Sequence, residues 1–216
     1  MKKRNEKEEK IEEISILILG NEKVGKTSLT LKYVGKYSEV NISIKNMQTG
    51  LSTEEKSIKI KGKEYKLLLY DPTPDFLQNV DIFNRDGIMF VFDMTDKDSR
   101  VIISDWIRLF RNKRQNFPMI LLGNKVDLIE EKEREIEEKD GKKFAKENEI
   151  DFFVTSCKDG TNINDAVDSI FNKILEEKEK EKANYLEESE LDMDKKDNNK
   201  HDNRNNSFCC DFCSIH

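Results

Sequence analysis

The stretch ISILILGNEKVGKTSLTLKYV, residues 14 to 34, limits what this chain can fold into more than any other. Its opening run is apolar and of strand length, as suits a strand buried on both faces. GNEKVGKT, residues 20 to 27, then satisfies G-x-x-x-x-G-K-[ST], and the residues after it read as a helix. Gly20 and Gly25 let the loop curl. The backbone N–H groups of Asn21, Glu22, Lys23, Val24 and Ser28, with the helix N-terminus, can then face phosphates. Lys26 is placed to reach the terminal phosphate oxygens and Thr27 to offer a hydroxyl to Mg²⁺. The expected ligand of this loop is a nucleoside triphosphate or diphosphate.

The rest of the chain repeats the same alternation. Short apolar runs occur in SIKIKGKEYKLLLYD, GIMFVFD, PMILLGN and IDFFVTS, with helix-length segments between them. Lys61-Gly62-Lys63 reads as a hairpin turn. In the last helical segment Ile163, Ala166, Val167, Ile170, Phe171, Ile174 and Leu175 recur at helical spacing and form one apolar face. Alternation of this kind predicts an α/β fold, a mostly parallel central sheet with helices on both faces, and the GNEKVGKT loop at its first strand places it in the P-loop NTPase class. Ligands of such sheets lie beyond the C-terminal strand edge. That rule singles out Gly20, Asp71, Asp93, Asn124 and Ser156.

Two of these strand ends carry a base-reading pattern. Asn124-Lys125-x-Asp127 follows PMILLG, and TSCKDG follows IDFFV. The Asp127 carboxylate can accept from the paired N–H donors of guanine, which adenine does not present in that arrangement. The stem of Lys125 can lie over the base. Ser156, Cys157 and Lys158 bring a backbone N–H toward the guanine O6. Together the loops predict GTP or GDP. Cys157 reads as a small structural residue of a tight loop, since nothing near it in sequence could activate a thiol.

Composition narrows the remaining choices. The 216 residues suffice for one domain, here residues 14 to 182, with a charged extension over 1–13 and a tail over 183–216. From Glu188 to Ser207 the tail reads as a disordered linker, poor in apolar residues. The net charge of −6 and the lack of a basic block argue against nucleic acid as a partner. Both histidines, His201 and His216, lie in the tail. No catalytic residue is assigned in the body. No apolar run is long enough for a membrane span, and the N-terminus has no signal-peptide core.

Gly20 to Thr27, Asn124 to Asp127 and Thr155 to Lys158 resemble the Ras superfamily of small GTPases, whose fold is the small G domain. RDGIMFVFDMTD, Trp106 and the cysteine-bearing tail resemble the Rab branch most. The resemblance implies that Asp71 supports Mg²⁺ through water and that Tyr37 flanks the base, one position from the family's aromatic. Thr49 stands near the place of the threonine that closes over Mg²⁺, although Gln48 occupies the aligned position. It further implies effectors, exchange factors and activating proteins as partners of the switch regions. A monomer on the cytoplasmic face of an intracellular membrane, with a cytosolic pool and a role in vesicle traffic, is expected on the same basis.

The departures from the family pattern are concentrated in one place. The motif D-T-A-G-Q falls on Asp71-Pro72-Thr73-Pro74-Asp75. Pro74 has no N–H to give the γ-phosphate where the family has glycine. Asp75 replaces the glutamine that orients the attacking water. Glu22 and Lys23 also stand where many relatives carry small residues. Two readings follow: a GTPase with weak or partner-dependent hydrolysis, or a non-hydrolysing guanine-nucleotide adaptor.

The chain ends FCCDFCSIH. Cys213-Ser214-Ile215-His216 has a prenylation outline, and Cys209 and Cys210 could take a second lipid, which would require prenylation and escort machinery. Cys210-x-x-Cys213-x-x-His216 has metal-like spacing as the competing reading. Residues 176–206 hold 7 Lys and Arg against 11 Asp and Glu, so lipid rather than charge would anchor the chain.

Overall fold

The computed structural model describes residues 11–38, 50–60, 62–73 and 81–205. Among them, β1 (Glu12–Leu19), β2 (Leu51–Ile60), β3 (Lys63–Pro72), β4 (Gly87–Asp93), β5 (Met119–Asn124) and β6 (Asp151–Val154) form one sheet in the order β2-β3-β1-β4-β5-β6. The helices are α1 (Lys26–Tyr33), α2 (Ile103–Lys113), α3 (Glu131–Glu147) and α4 (Ile163–Asn205). Among the described strands only the β2–β3 pair is antiparallel; β3, β1, β4, β5 and β6 run parallel. Ile60 pairs with Lys63 and Gly62 has a φ of +83°, as a tight hairpin reversal requires.

The central strands are buried on both faces, which is why they read as unbroken apolar runs rather than alternating ones. Every residue of β4 and β5 is buried. Side chains alternate along a strand. Leu17, Leu19, Ile88, Phe90 and Phe92 meet Ile103, Ile107 and Phe110 in one core cluster. On the opposite face Phe171 stacks edge-on against Tyr65 with ring centroids 5.2 Å apart. A Cβ on Gly87 would lie 2.8 Å from Ile174 Cδ1, so glycine is what lets α4 approach β4 so closely.

The chain divides after Ile174 into two compact units. In the second unit the backbone continues as helix to Asn205, where composition predicted a disordered linker from Glu188. No Gly or Pro follows Gly160 to break the helix, although Asp and Asn, which favour helix less than Glu, Lys and Leu, make up eight of the eighteen residues from Glu188 to Asn205. No helix among the described residues is long and apolar enough to cross a membrane.

Candidate nucleotide site

Because the central strands are parallel, their C-terminal ends share one edge, and the chain places its polar residues there. Gly20 follows β1, Asp71 lies next to the end of β3, Asp93 closes β4, Asn124 closes β5, and Thr155 and Ser156 follow β6. Asp71, Asp93, Asn124, Thr155 and Ser156 are all buried. Buried polar groups need partners, and those partners connect the loops to one another.

The loop from Gly20 to Gly25 turns tightly against the sheet. A Cβ at Gly20 would sit 2.2 Å from the Val91 carbonyl oxygen, so only glycine lets the chain leave β1 this close to β4. Lys23 has a φ of +63° and Gly25 of +100°. The Glu22 and Lys23 side chains are exposed, while Val24 is buried beneath the loop. No side chain caps α1 and its first turn holds no acid, which leaves the N-terminal N–H groups and the positive end of the dipole facing outward. Lys26 Nζ donates to the carbonyl oxygens of Gly20 at 2.9 Å and Asn21 at 2.8 Å. Burial lowers the pKa of Lys26, with the charges of Asp71 and Glu22 opposing the shift.

At the mouth of this loop Thr27 Oγ1 donates to Asp71 Oδ2 at 2.5 Å. A hydroxyl and a carboxylate thus meet at one point beside Lys26. An all-oxygen pair of this kind fits Mg²⁺, which takes few protein ligands and keeps water and phosphate for the rest. Beyond Asp71, Thr73 and Gly50 exchange hydrogen bonds: Thr73 N donates to Gly50 O at 2.9 Å, and Gly50 N to Thr73 Oγ1 at 3.3 Å. The residue between the two prolines is therefore tied to the start of β2. Thr49, Gln48, Pro74 and Asp75 lie outside the described residues, as do Cys209, Cys210 and Cys213.

The base loops form a second network. Asn124 is 1% exposed, and its Nδ2 donates to Val24 O at 2.8 Å, joining β5 to the phosphate loop. Its Oδ1 accepts from Thr155 Oγ1 at 3.3 Å and from Cys157 Sγ at 3.4 Å. Ser156 Oγ donates to Asp127 Oδ1 at 2.7 Å and accepts from Lys158 N at 3.2 Å, which aims the carboxylate. Burial pushes the Cys157 thiol up to about 11, so it stays protonated and serves as a weak donor. Its structural reading agrees with this setting. Tyr37 lies beyond α1 and is 38% exposed.

One contact at this edge has no signature in the sequence. Lys125, held at a φ of +67°, pairs through Nζ with Asp93 Oδ2 at 2.6 Å. Asp93 also accepts from Thr95 N and Oγ1. Burial disfavours the Asp93 carboxylate, but the bonds from Lys125 and Thr95 outweigh it and hold the carboxyl below its ordinary range. Asp93 thus keeps the Lys125 stem in place at the sheet edge. Its position at the end of GIMFVFD marked it as an edge residue, and only the adjacency of β4 and β5 shows what it holds.

The family model for the Ras family matches residues 15–176. The chain belongs to the Ras family. The curated proteins it resembles include Rab proteins. It is 30% identical over 165 residues to the Ras-related protein Rab-11B of Dictyostelium discoideum, covering 74% of this chain and 72% of that one. To the Ras-related protein Rab-13 of Rattus norvegicus it is 30% identical over 166 residues, covering 74% and 79%. Against Rab-13 of Mesocricetus auratus the match runs over 195 residues at 30% identity, covering 86% and 93%. The chain is a Rab-like small GTPase of the Ras family, with the α/β architecture expected from its alternation of strands and helices.

Proposed function

We propose that this protein binds GTP and GDP with Mg²⁺ and acts as a Rab-like membrane-attached switch whose own hydrolysis is weak or partner-dependent. The observation that carries the reading is the meeting of three elements at one sheet edge: the uncapped α1 terminus with Lys26, the Thr27–Asp71 pair, and the Asn124–Asp127–Ser156 network. In this reading Lys26 leaves its two loop carbonyls to bind the β- and γ-phosphate oxygens. Thr27 and Asp71 would hold Mg²⁺, directly and through water, and the ion supplies positive charge against the phosphates. Thr49 is the proposed third contributor. Asp127, aimed by Ser156, accepts from the guanine edge, and the N–H groups near Cys157 and Lys158 face the O6. Asn21 to Val24, Gly25 and Ser28 line the phosphates, and Tyr37 flanks the base.

The non-hydrolysing adaptor is the second reading, favoured by DPTPDF. Pro74 lacks the N–H that would sense the γ-phosphate, and Asp75 replaces the water-orienting side chain. Thr73 is also fastened to Gly50, which fits a segment that answers weakly to the third phosphate. A switch requires contacts that differ between its two states. Lipid on Cys213, with Cys209 or Cys210, would place the chain on cytosolic membrane faces in vesicle traffic. Effectors, exchange factors and activating proteins would meet it there.

Single-turnover conversion of preloaded GTP by purified protein with Mg²⁺ separates the readings. GDP appearing over hours supports the slow GTPase; GTP retained by the protein alone but converted once an activating protein is added supports the partner-dependent one, and GTP retained in both cases supports the adaptor. Asp127→Asn should reduce the preference for guanine over other bases; GDP affinity unchanged in that variant would remove the base-site assignment.

A further inference from the structure

Lys32 takes no part in the motifs that define the nucleotide site, yet it touches two loops of that site at once. It lies on α1, where Leu31 and Tyr33 are buried and the Lys32 side chain emerges half-buried. Its Nζ donates to the Lys158 carbonyl oxygen at 3.0 Å. The same ammonium lies 5.0 Å from the centre of the Tyr37 ring. Its stem runs beside Gly160, where an added Cβ would be 3.2 Å from Lys32 Cε. A counter-charge is close by: hydrogen bonds from Thr161 chiefly lower the Asp159 carboxyl, and the Lys32 charge adds to that effect. One cation therefore bridges the helix behind the phosphate loop, the second base loop and the aromatic residue past α1.

We infer that Lys32 is a positioning residue that latches Tyr37 to the Lys158 loop and so sets how fast the guanine nucleotide leaves. The inference rests on the guanine-nucleotide reading above and adds a regulator of its release. The physical argument concerns what must open. A base held between the Asn124–Lys125 strand end and the Ser156–Lys158 loop can leave only when an enclosing loop moves. The Lys32 bond to the Lys158 carbonyl resists movement of that loop, and the cation–π contact resists movement of Tyr37. Because one ammonium makes both contacts, its removal loosens both parts together. An exposed charge-assisted bond and an exposed cation–π contact are individually weak, so the expected effect is on rate and not on fold. Release should quicken by roughly five- to tenfold.

The test is GDP dissociation from the full-length protein, followed with a fluorescent GDP analogue, for wild type, Lys32→Ala, Lys32→Arg, Tyr37→Ala and the Lys32→Ala/Tyr37→Ala double variant. The latch predicts faster release in Lys32→Ala, near wild-type release in Lys32→Arg, and a double variant whose release is quickened by clearly less than the product of the two single effects. Wild-type release in Lys32→Ala overturns it. So do effects of the two substitutions that simply multiply, since a shared latch couples them. ADP competition on wild type separates the two levels. A wild type without preference for GDP over ADP removes the guanine reading and the latch with it. A selective wild type with indifferent Lys32 variants removes the latch alone.

Discussion

Gly25→Ala probes the junction between phosphate loop and base loop most directly, and Gly35→Ala serves as its control. Both glycines have positive φ, +100° at Gly25 and +77° at Gly35. Holding an L-residue in that region costs about 1–2 kcal/mol. At Gly35 a Cβ meets nothing within 4 Å, so the backbone term is its whole cost. At Gly25 a Cβ would lie 2.4 Å from Asn124 Nδ2, the atom that donates to Val24 O at 2.8 Å. Asn124 must swing aside, leaving a buried carbonyl without that donor, which adds about 1–3 kcal/mol. The totals are about 2–5 kcal/mol for Gly25→Ala and about 1–2 kcal/mol for Gly35→Ala. At about 2–4 °C per kcal/mol for a domain of this size, melting temperature falls by about 4–20 °C in the first and about 2–8 °C in the second. Calorimetry and urea unfolding measure this, and GDP titration measures the consequence for the site. GDP affinity should drop by about tenfold or more in Gly25→Ala, equivalent to about 1.4 kcal/mol, and hold in Gly35→Ala. Equal stability losses with GDP affinity kept in both variants would refute the proposed linkage through Asn124.

Asp71→Asn keeps the size of the side chain but removes the charge opposite Thr27. Support of GDP binding by Mg²⁺ should weaken by about 10–100-fold, so a chelator should loosen GDP from wild type far more than from the variant; equal chelator sensitivity would separate Asp71 from the metal. Alkaline unfolding gives a test independent of nucleotide. Burial raises the Cys157 thiol from 9.0 to about 11, and burial with the charge of Asp168 raises the Tyr33 phenol from 10.0 to about 12. Both groups lose protons more readily when unfolded, so their stabilisation is complete below about pH 9 and is lost as pH rises through about 11 to 12. Cys157→Ala and Tyr33→Phe should each flatten part of that decline in urea midpoints, and an unaltered slope would count against the burial argument.

Local chemistry explains why so much of the site is legible in the amino-acid sequence. GNEKVGKT needs a strand before it and a helix after it, and both can be recognised from the spacing of apolar residues. NKVD and TSCK carry donors and acceptors that suit guanine on the reading proposed above, and each follows a run of strand length. Fully buried parallel strands have no polar face, so β4 and β5 announce themselves as GIMFVFD and PMILLGN. The α4 helix is harder to bound. Its apolar face ends near Leu175, yet the helix, with no Gly or Pro to break it, continues to Asn205.

What the sequence alone supplied is therefore the expected chemistry of each loop: a phosphate-binding pattern at Gly20 to Thr27, a guanine-reading pattern at Asn124 to Asp127, and the altered DPTPDF stretch, where Pro74 has no N–H. Only the tertiary structure decided which loops hold one another. Asn124 is bonded to Val24, Asp93 to Lys125, Ser156 to Asp127 and Thr73 to Gly50, and Lys32 reaches both Lys158 and Tyr37. Most of these pairs join residues far apart along the chain, so no local pattern encodes them. The links Asn124–Val24, Asp93–Lys125 and Ser156–Asp127 arise because parallel strands in the order β3-β1-β4-β5-β6 bring their C-terminal ends to one edge, whereas Thr73–Gly50 continues the antiparallel β2–β3 register. At that edge, buried polar groups without water must satisfy each other.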